Sequence, residues 1–435
     1  MKRDIAIIGM SGRFPKSADI YSFWKNLVEE KELLHFFDDE ELLARGVKRE
    51  EITQSNWVKV ASMMENPQYF DYPFFKYTLD EAMVMNPQTR VMHQLVWQAL
   101  EDAGCHPATY HKKIGIFTGA NKDLNWSLYS ALVEHDNVDA LTKSKLINPN
   151  FMASLIAFKL NFTGPCYFID TACSTSLSTA HLACRSLLLN ECGIAVVGGI
   201  RLISYLDNGY QYMEGSIMSK DGHSRSFDRQ SSGTIPCDGA GVVVLKKLEE
   251  AIKDRDPIYA VIKSSAMNND GNRKAGYTMP SVPGQTDCIK LAQKIAGVQA
   301  QDITYVETHG TGTKIGDPIE IESLNSAFNH DTKHRCAIGT VKSNMGHADE
   351  AAGIAGLIKT ALVLKHRTIP ASLHFTQANP TIPFAEGPFY VNAKTSPWIL
   401  EEGKARIAAV SSLGIGGTNV HMILREATPL PQSSP

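Results

Sequence analysis

One cysteine and two histidines stand where this chain could do chemistry. Cys173 lies in the run Phe168-Ile169-Asp170-Thr171-Ala172-Cys173-Ser174-Thr175-Ser176-Leu177, where an apolar strand-like stretch feeds a small-residue turn and then an amphipathic helix. This layout puts a thiol at or near a helix N-terminus, where the dipole and unpaired N–H groups favour a thiolate. The small neighbours Ala172, Ser174 and Ser176 leave room for a substrate. Such a thiolate can attack an acyl thioester at little net cost, and the backbone N–H of Cys173 can help hold the tetrahedral oxyanion. His309 sits between the strand-like ITYVET and the flexible GTGT, where its Nε2 can donate or accept a proton beside a bound acyl group. His347 shares one strand exit with Lys342, and a cationic or hydrogen-bond-donating role near a developing enolate fits both.

Plainer readings stand beside these. A free cysteine is usually a small buried hydrophobe, and a histidine on a strand is often a satisfied core residue. His347-Ala348-Asp349 has the look of a metal half-site, but no other ligand cluster supports it, so no metal is expected. The hydroxyls of Thr311 and Thr313 alternate with glycines and suit a long polar arm. The run GTGTKIG fits neither of the usual phosphate-loop spacings. Glu320 either completes a capping-box-like helix start or pairs with Lys342 and orients its ammonium. The glycines of Ser412–Asn419 permit close backbone approach, and the N–H of Ile415 is the best candidate for a second oxyanion donor.

These residues need elements to hold them. Strands are predicted at 5–9, 114–118, 166–169, 194–199, 241–245, 258–262, 303–307, 336–340, 407–411 and 420–424, each rich in Ile and Val and bounded by Gly, Asp or Ser. A helix is predicted after Asn86, capped by that residue, with Pro87 in its first turn and Gly104 at its end. Others are predicted from Asp317-Pro318 and over 351–365, the latter with Ile354, Leu357, Ile358, Ala361 and Leu362 on one side. Strands alternating with helices predict a mainly parallel α/β sheet covered on both faces. A break near Pro257 would divide the chain into 1–256 and 257–427, and 428–435 reads as the start of a linker.

The 435 residues are 43% hydrophobic and 20% charged, which allows a large core and argues against disorder. A net charge of −3 gives no case for binding nucleic acid or an anionic membrane surface. The apolar start MKRDIAIIGMSGRF is too short for a signal peptide and reads as a first strand. No apolar run approaches the roughly 20 residues that cross a bilayer. Eight scattered cysteines without a CxxC pair fit free thiols in a reducing, cytoplasmic setting.

Taken in order, IAIIGMSGRFP, MNPQTR, DTACSTSL, MSKDGHSRSFD, DGAGVVVLKKL, ETHGTGTKIGDPIE, VKSNMGHADEAAGIAGLIK and SSLGIGGTNVHMIL resemble the β-ketoacyl synthase domain of modular type I polyketide synthases across nearly the whole chain. The resemblance implies a thiolase fold of two pseudo-symmetric α/β halves in a layered α/β/α/β/α core, and a homodimer. It implies that Cys173 takes the acyl chain from an upstream acyl carrier protein. His309 and His347 then stabilise the enolate formed as malonyl carrier protein loses CO₂, Lys342 and Glu320 are the supporting pair, and Thr311 and Thr313 contact phosphopantetheine. It implies no cofactor of the domain's own, since substrates arrive on the phosphopantetheine arms of carrier proteins.

Departures from the family pattern are Asn86 for Asp, Thr175 for Ser, Asp349 for Glu and Leu413 for Phe, the last bearing on the acyl pocket. The run Gly233-Thr234-Ile235-Pro236-Cys237-Asp238-Gly239 also differs. The Asp349 and Gly233–Gly239 variants are similar to synthases of hybrid peptide–polyketide or trans-acyltransferase lines. No GxSxG elbow or dinucleotide fingerprint marks a second activity. Three rivals remain: a cysteine acyl hydrolase, a non-condensing gate that passes acyl chains between carriers, and a dimerising scaffold.

Overall fold

A computed structural model describes residues 3–133, 137–203, 207–328 and 335–428; the predicted linker at 428–435 lies almost wholly outside them. Eleven strands form the main sheet: β1 (Ile5–Arg13), β2 (Ile114–Ala120), β3 (Cys166–Phe168), β4 (Ile194–Arg201), β5 (Gly239–Lys247), β6 (Ala260–Asn269), β7 (Tyr305–Glu307), β8 (Cys336–Gly339), β9 (Phe389–Val391), β10 (Ile407–Leu413) and β11 (Thr418–Glu426). All ten predicted strands are present; the three-residue β9 is an addition to them.

The spatial order is β9-β8-β7-β10-β11-β6-β1-β5-β4-β2-β3. From the antiparallel β1–β6 seam outward the same pattern runs twice. On one side β1, β5 and β4 pair antiparallel and β4, β2 and β3 pair parallel. On the other, β6, β11 and β10 pair antiparallel and β10, β7 and β8 pair parallel, with β9 added beyond. The expectation of a mainly parallel sheet is therefore wrong, because half of the pairings are antiparallel. Antiparallel neighbours need no crossover helix. The signal for one of them lies in the sequence: Gly414, Gly416 and Gly417 separate two strand-like runs, and the last two adopt φ +103° and +93°, closing β10 onto β11 as a hairpin.

Six helices matter here: α1 (Pro87–Asp102), α2 (Met152–Leu160), α3 (Thr175–Leu188), α4 (Val282–Ala296), α5 (Gly316–Phe328) and α6 (Ala352–His366). The Asn86 side chain accepts from the N–H of Gln88 at the start of α1, as predicted. α1 covers β1, β5 and β4, and α4 covers β6 and β11. α3 and α6 touch each other, and each packs on strands of both halves. They form the middle layer, which gives the α/β/α/β/α stacking. The middle position also changes the reading of α6. Its residues from Ala352 to Leu364 are buried all round, polar Lys359 and Thr360 included, so it has no exposed face.

Candidate functional site

The repeated topology decides where the reactive side chains meet. Cys173 follows β3, and Lys342 and His347 follow β8, the equivalent strand of the other half. The helices after them, α3 and α6, are the two that touch in the middle layer. His309 follows β7, the neighbour of β8.

The turn before α3 is strained and pinned. Ala172 has φ +55°, its N–H donates to Asp170, and the N–H of Thr171 donates to the Thr175 hydroxyl at 2.8 Å. The Ser412 hydroxyl holds the carbonyl of Cys173 at 2.7 Å. Cys173 thus sits just ahead of the N-cap residue Ser174, near the helix N-terminus as predicted. Gly414 passes directly over this turn: a Cβ there would lie 2.4 Å from the Thr171 carbonyl oxygen and 2.6 Å from the Ser174 hydroxyl. That approach brings the N–H of Ile415 onto the Cys173 sulfur.

The sulfur of Cys173 and one ring nitrogen from each of His309 and His347 all lie within 4.8 Å of one another, and all three residues are buried. The two imidazoles meet edge to face, with centroids 5.1 Å apart. Nδ1 of His309 accepts from the N–H of Leu413 at 3.4 Å, and Nδ1 of His347 accepts from the N–H of Asp349 at 3.1 Å. Burial, then the charge of Lys342, pushes both pKa values well below the usual 6.5. Neutral rings whose Nδ1 accepts must carry the proton on Nε2. Each therefore offers an Nε2–H donor, which suits an anion and not a metal ion.

The thiol departs from expectation. Burial pushes its pKa up, and the Ile415 N–H, Lys342 and Arg201 oppose this only in part. The helix-terminus argument leaves out this desolvation, which disfavours the charged form of a sulfur only 4% exposed. Glu320 also departs. Its oxygens accept from the N–H groups of His309 and Gly310, both at 2.7 Å. It forms no ion pair with Lys342 among the described residues, and its charge acts on that lysine only through space. Neither predicted role, cap or direct partner, describes it: Glu320 fixes the backbone that carries His309.

Lys342 is buried, which lowers its pKa, and the largest opposing influence is Glu307, ahead of Glu320. Sequence reasoning missed Glu307. One of its oxygens accepts from the Val341 N–H at 2.7 Å; the other accepts from the Tyr305 hydroxyl at 2.6 Å and pairs with Lys359 at 2.8 Å. A carboxylate and a lysine inside two otherwise apolar segments were the available signal.

A cavity of about 580 Å³ opens onto this group. Cys173, His309 and His347 line it together with Thr311, Thr313 and Leu413, and Ile415 stands 47% exposed on its wall. The Thr311 and Thr313 hydroxyls are 3.0 Å apart. A second cluster, remote in sequence from these three, joins Glu32, His223 and His374. Both rings there donate to the same Glu32 oxygen, at 2.8 and 2.7 Å, and so tie three chain segments together.

The chain matches the N-terminal domain model of β-ketoacyl synthases over residues 2–251, the C-terminal domain model over 259–376 and the ketoacyl-synthetase C-terminal extension over 378–435. It belongs to the β-ketoacyl synthase family. The chain is 42% identical, over 97% of its length, to a phenolphthiocerol/phthiocerol polyketide synthase polypeptide of Mycobacterium tuberculosis. It is 39% identical over 98% of its length to polyketide synthase PksL of Bacillus subtilis. It spans only 29% and 10% of those two proteins. Among solved structures, ketosynthase twelve of the bacillaene polyketide synthase of Bacillus amyloliquefaciens superposes with a TM-score of 0.94 at 36% identity, covering 99% of this chain and 76% of that one. The neighbours carry the thiolase fold, as the motifs implied.

Proposed function

We propose that this chain is the condensing domain of a larger polyketide synthase, joining an acyl chain to a malonyl-type unit by decarboxylative Claisen condensation. The observation that carries the reading is the convergence of one sulfur and two Nε2–H donors on a single cavity. In the first step the Cys173 sulfur attacks the acyl thioester of an upstream carrier protein. The new thioester forms, the carrier's thiol leaves, and the N–H groups of Cys173 and Ile415 hold the oxyanion. Thr311 and Thr313 steady the phosphopantetheine arm, and Leu413 borders the acyl chain. In the second step a malonyl thioester loses CO₂, and the electron pair passes to an enolate whose oxygen accepts from Nε2–H of His309 and His347. Lys342, with Glu320 and Glu307 nearby, adds positive charge. In the third step the enolate carbon attacks the Cys173 thioester, the sulfur leaves, and a β-ketoacyl carrier protein departs.

Division of the chain at 256/257 into a half carrying the nucleophile and a half carrying both histidines belongs to the same reading. So does a homodimer. Among the described residues β3 ends the sheet with an unpaired edge, and Tyr167 on it and Phe158 on the adjoining α2 are 49% and 79% exposed. No helix of the described residues is long and apolar enough to cross a membrane.

The test is to incubate the protein with acyl and malonyl carrier proteins and follow intact mass. Loss of CO₂ and gain of the acyl group on the extender carrier, leaving a chain two carbons longer than the donor's, is the expected result and should be lost in Cys173→Ala. Free acid without chain growth would favour a hydrolase, and acyl-Cys173 beside untouched malonyl thioester would favour a gate that only transfers chains.

A further inference from the structure

Glu32, His223 and His374 bring one carboxylate oxygen and two imidazole nitrogens within 4.8 Å of one another, and none of the three lines the reactive cavity. Nδ1 of His223 and Nε2 of His374 face the same oxygen of Glu32, at 2.8 and 2.7 Å. The two rings have centroids 4.7 Å apart. The three side chains are between 19% and 27% exposed, so water reaches the group without surrounding it. Among the described residues no lysine or arginine pairs with Glu32. A largely buried carboxylate whose ionic partners are two imidazoles attracts a cation.

The backbone beside each of these residues is already held. The Leu33 N–H donates to the Asn344 carbonyl at 2.7 Å, and the Asn344 amide donates back to the Lys31 carbonyl at 3.1 Å. The His223 N–H donates to the Ser219 hydroxyl and to Asp221, both at 3.2 Å. The Leu373 N–H donates to the Ser343 hydroxyl at 2.9 Å, and Asp228 accepts from the N–H groups of Thr376 and Gln377. His374 itself has φ +63°, in the left-handed region that non-glycine residues rarely enter. Pinned segments that converge on one point suit a metal ion, because ligands fixed in advance lose little freedom on binding it.

We propose that Glu32, His223 and His374 are the ligands of a divalent transition-metal ion of the zinc class, with water in the remaining positions. Two imidazoles and one carboxylate favour zinc over magnesium or calcium, which take oxygen ligands. Ligand atoms about 2.0–2.1 Å from zinc stand ~3.3 Å apart in a tetrahedron, so each nitrogen must back away from the oxygen by about half an ångström. Rotation of partly exposed side chains supplies that movement. The ion takes the place of the two ring protons now given to Glu32. Each ring carries its proton on the other nitrogen instead, Nε2 of His223 and Nδ1 of His374, and neither has a hydrogen-bond partner among the described residues. The ion joins the His223 loop to two segments packed on the short helix Lys342–Met345. That loop is bonded through the Ser219 N–H to the carbonyl of Thr234, at 2.8 Å, and Thr234 lines the reactive cavity. Bound metal therefore stiffens one wall of the cavity.

The test uses the full chain with Cys173→Ala, so that no catalytic sulfur competes for metal, after treatment with a chelator. Zn²⁺ should bind at one equivalent in equilibrium dialysis. Co²⁺ in its place should give visible absorption without a thiolate-to-metal charge-transfer band. Glu32→Gln and His223→Gln each put a neutral amide where a ligand stood. Either should weaken Zn²⁺ binding by at least about 10–100-fold, the loss that follows even when only a ligand's own hydrogen-bond partner is removed. Zn²⁺ at ~100 times the parent's Kd should raise the melting temperature of the parent and leave both variants unmoved. Melting in chelator shows that the variants fold. Absence of stoichiometric binding, unchanged affinity in both variants, or a charge-transfer band from a cysteine would overturn the site. Chain growth does not enter this test, so the metal site and the condensing reading can fail independently.

Discussion

At the scale of single residues, protonation state is what equips the site. The rings of His309 and His347 are kept neutral by burial and by Lys342, and backbone N–H groups hold their Nδ1 atoms. Each is thereby fixed as a donor across the whole physiological range. Replacing either by Ala removes a donor aimed at developing negative charge. We expect His309→Ala to slow condensation by about 10²-fold or more, measured as β-ketoacyl carrier protein formed per minute. An unchanged rate would mean that this imidazole meets no enolate. Identifying Cys173, His309 and His347 as the reactive group was possible from sequence because each ends a strand-like run beside small residues. The state of the thiol was not, because desolvation depends on what covers the sulfur, and its cover comes from Leu413, Gly414 and Ile415, far along the chain.

At the scale of elements, the site depends on how β7, β8 and α6 are joined. Glu307 on β7 binds the backbone just before Lys342, the hydroxyl of Tyr305 and the ammonium of Lys359 on α6. Lys359 is 0% exposed, so its charge has no solvent to turn to. Breaking such a pair from one side leaves an uncompensated buried charge and costs about 3–5 kcal/mol. Glu307→Gln and Lys359→Met should each lower the melting temperature markedly in calorimetry, and the double variant should lose less than the sum. Strict additivity would show that the two groups do not act as a pair. The strands and helices themselves were readable from Ile- and Val-rich runs, caps and glycines. The pairing of their charges was not, since Glu307 and Lys359 are distant in sequence and meet only because α6 lies across the sheet.

At the scale of the whole molecule, the open edge is where the proposed homodimer would form. Among the described residues β3 has a neighbour on one side only, and its Tyr167, with Phe158 beside it, presents apolar surface to solvent. Two copies meeting edge to edge would cover both. Phe158→Asp combined with Tyr167→Asp should convert a dimer to a monomer in sedimentation velocity. A dimer that persists would place the interface elsewhere.

What the sequence by itself determined is ten of the eleven strands of the main sheet, the helices after Asn86, Cys173 and Asp317 and over 351–365, and the kinship of the chain. Those follow from local rules: the period of apolar residues, a cap at Asn86, and motifs that survive as short runs. What only the tertiary structure decided is everything that depends on two distant segments meeting. Half of the sheet is antiparallel, because the strands next to β1 and β6 return without a crossover. α6 is buried on all faces, because two half-sheets enclose it. Glu320 serves the backbone of His309 instead of its helix start. Chain periodicity specifies which face of an element is apolar. The partner that face finds is set by topology, and here a twice-repeated topology brings the ends of β3 and β8 into one cavity.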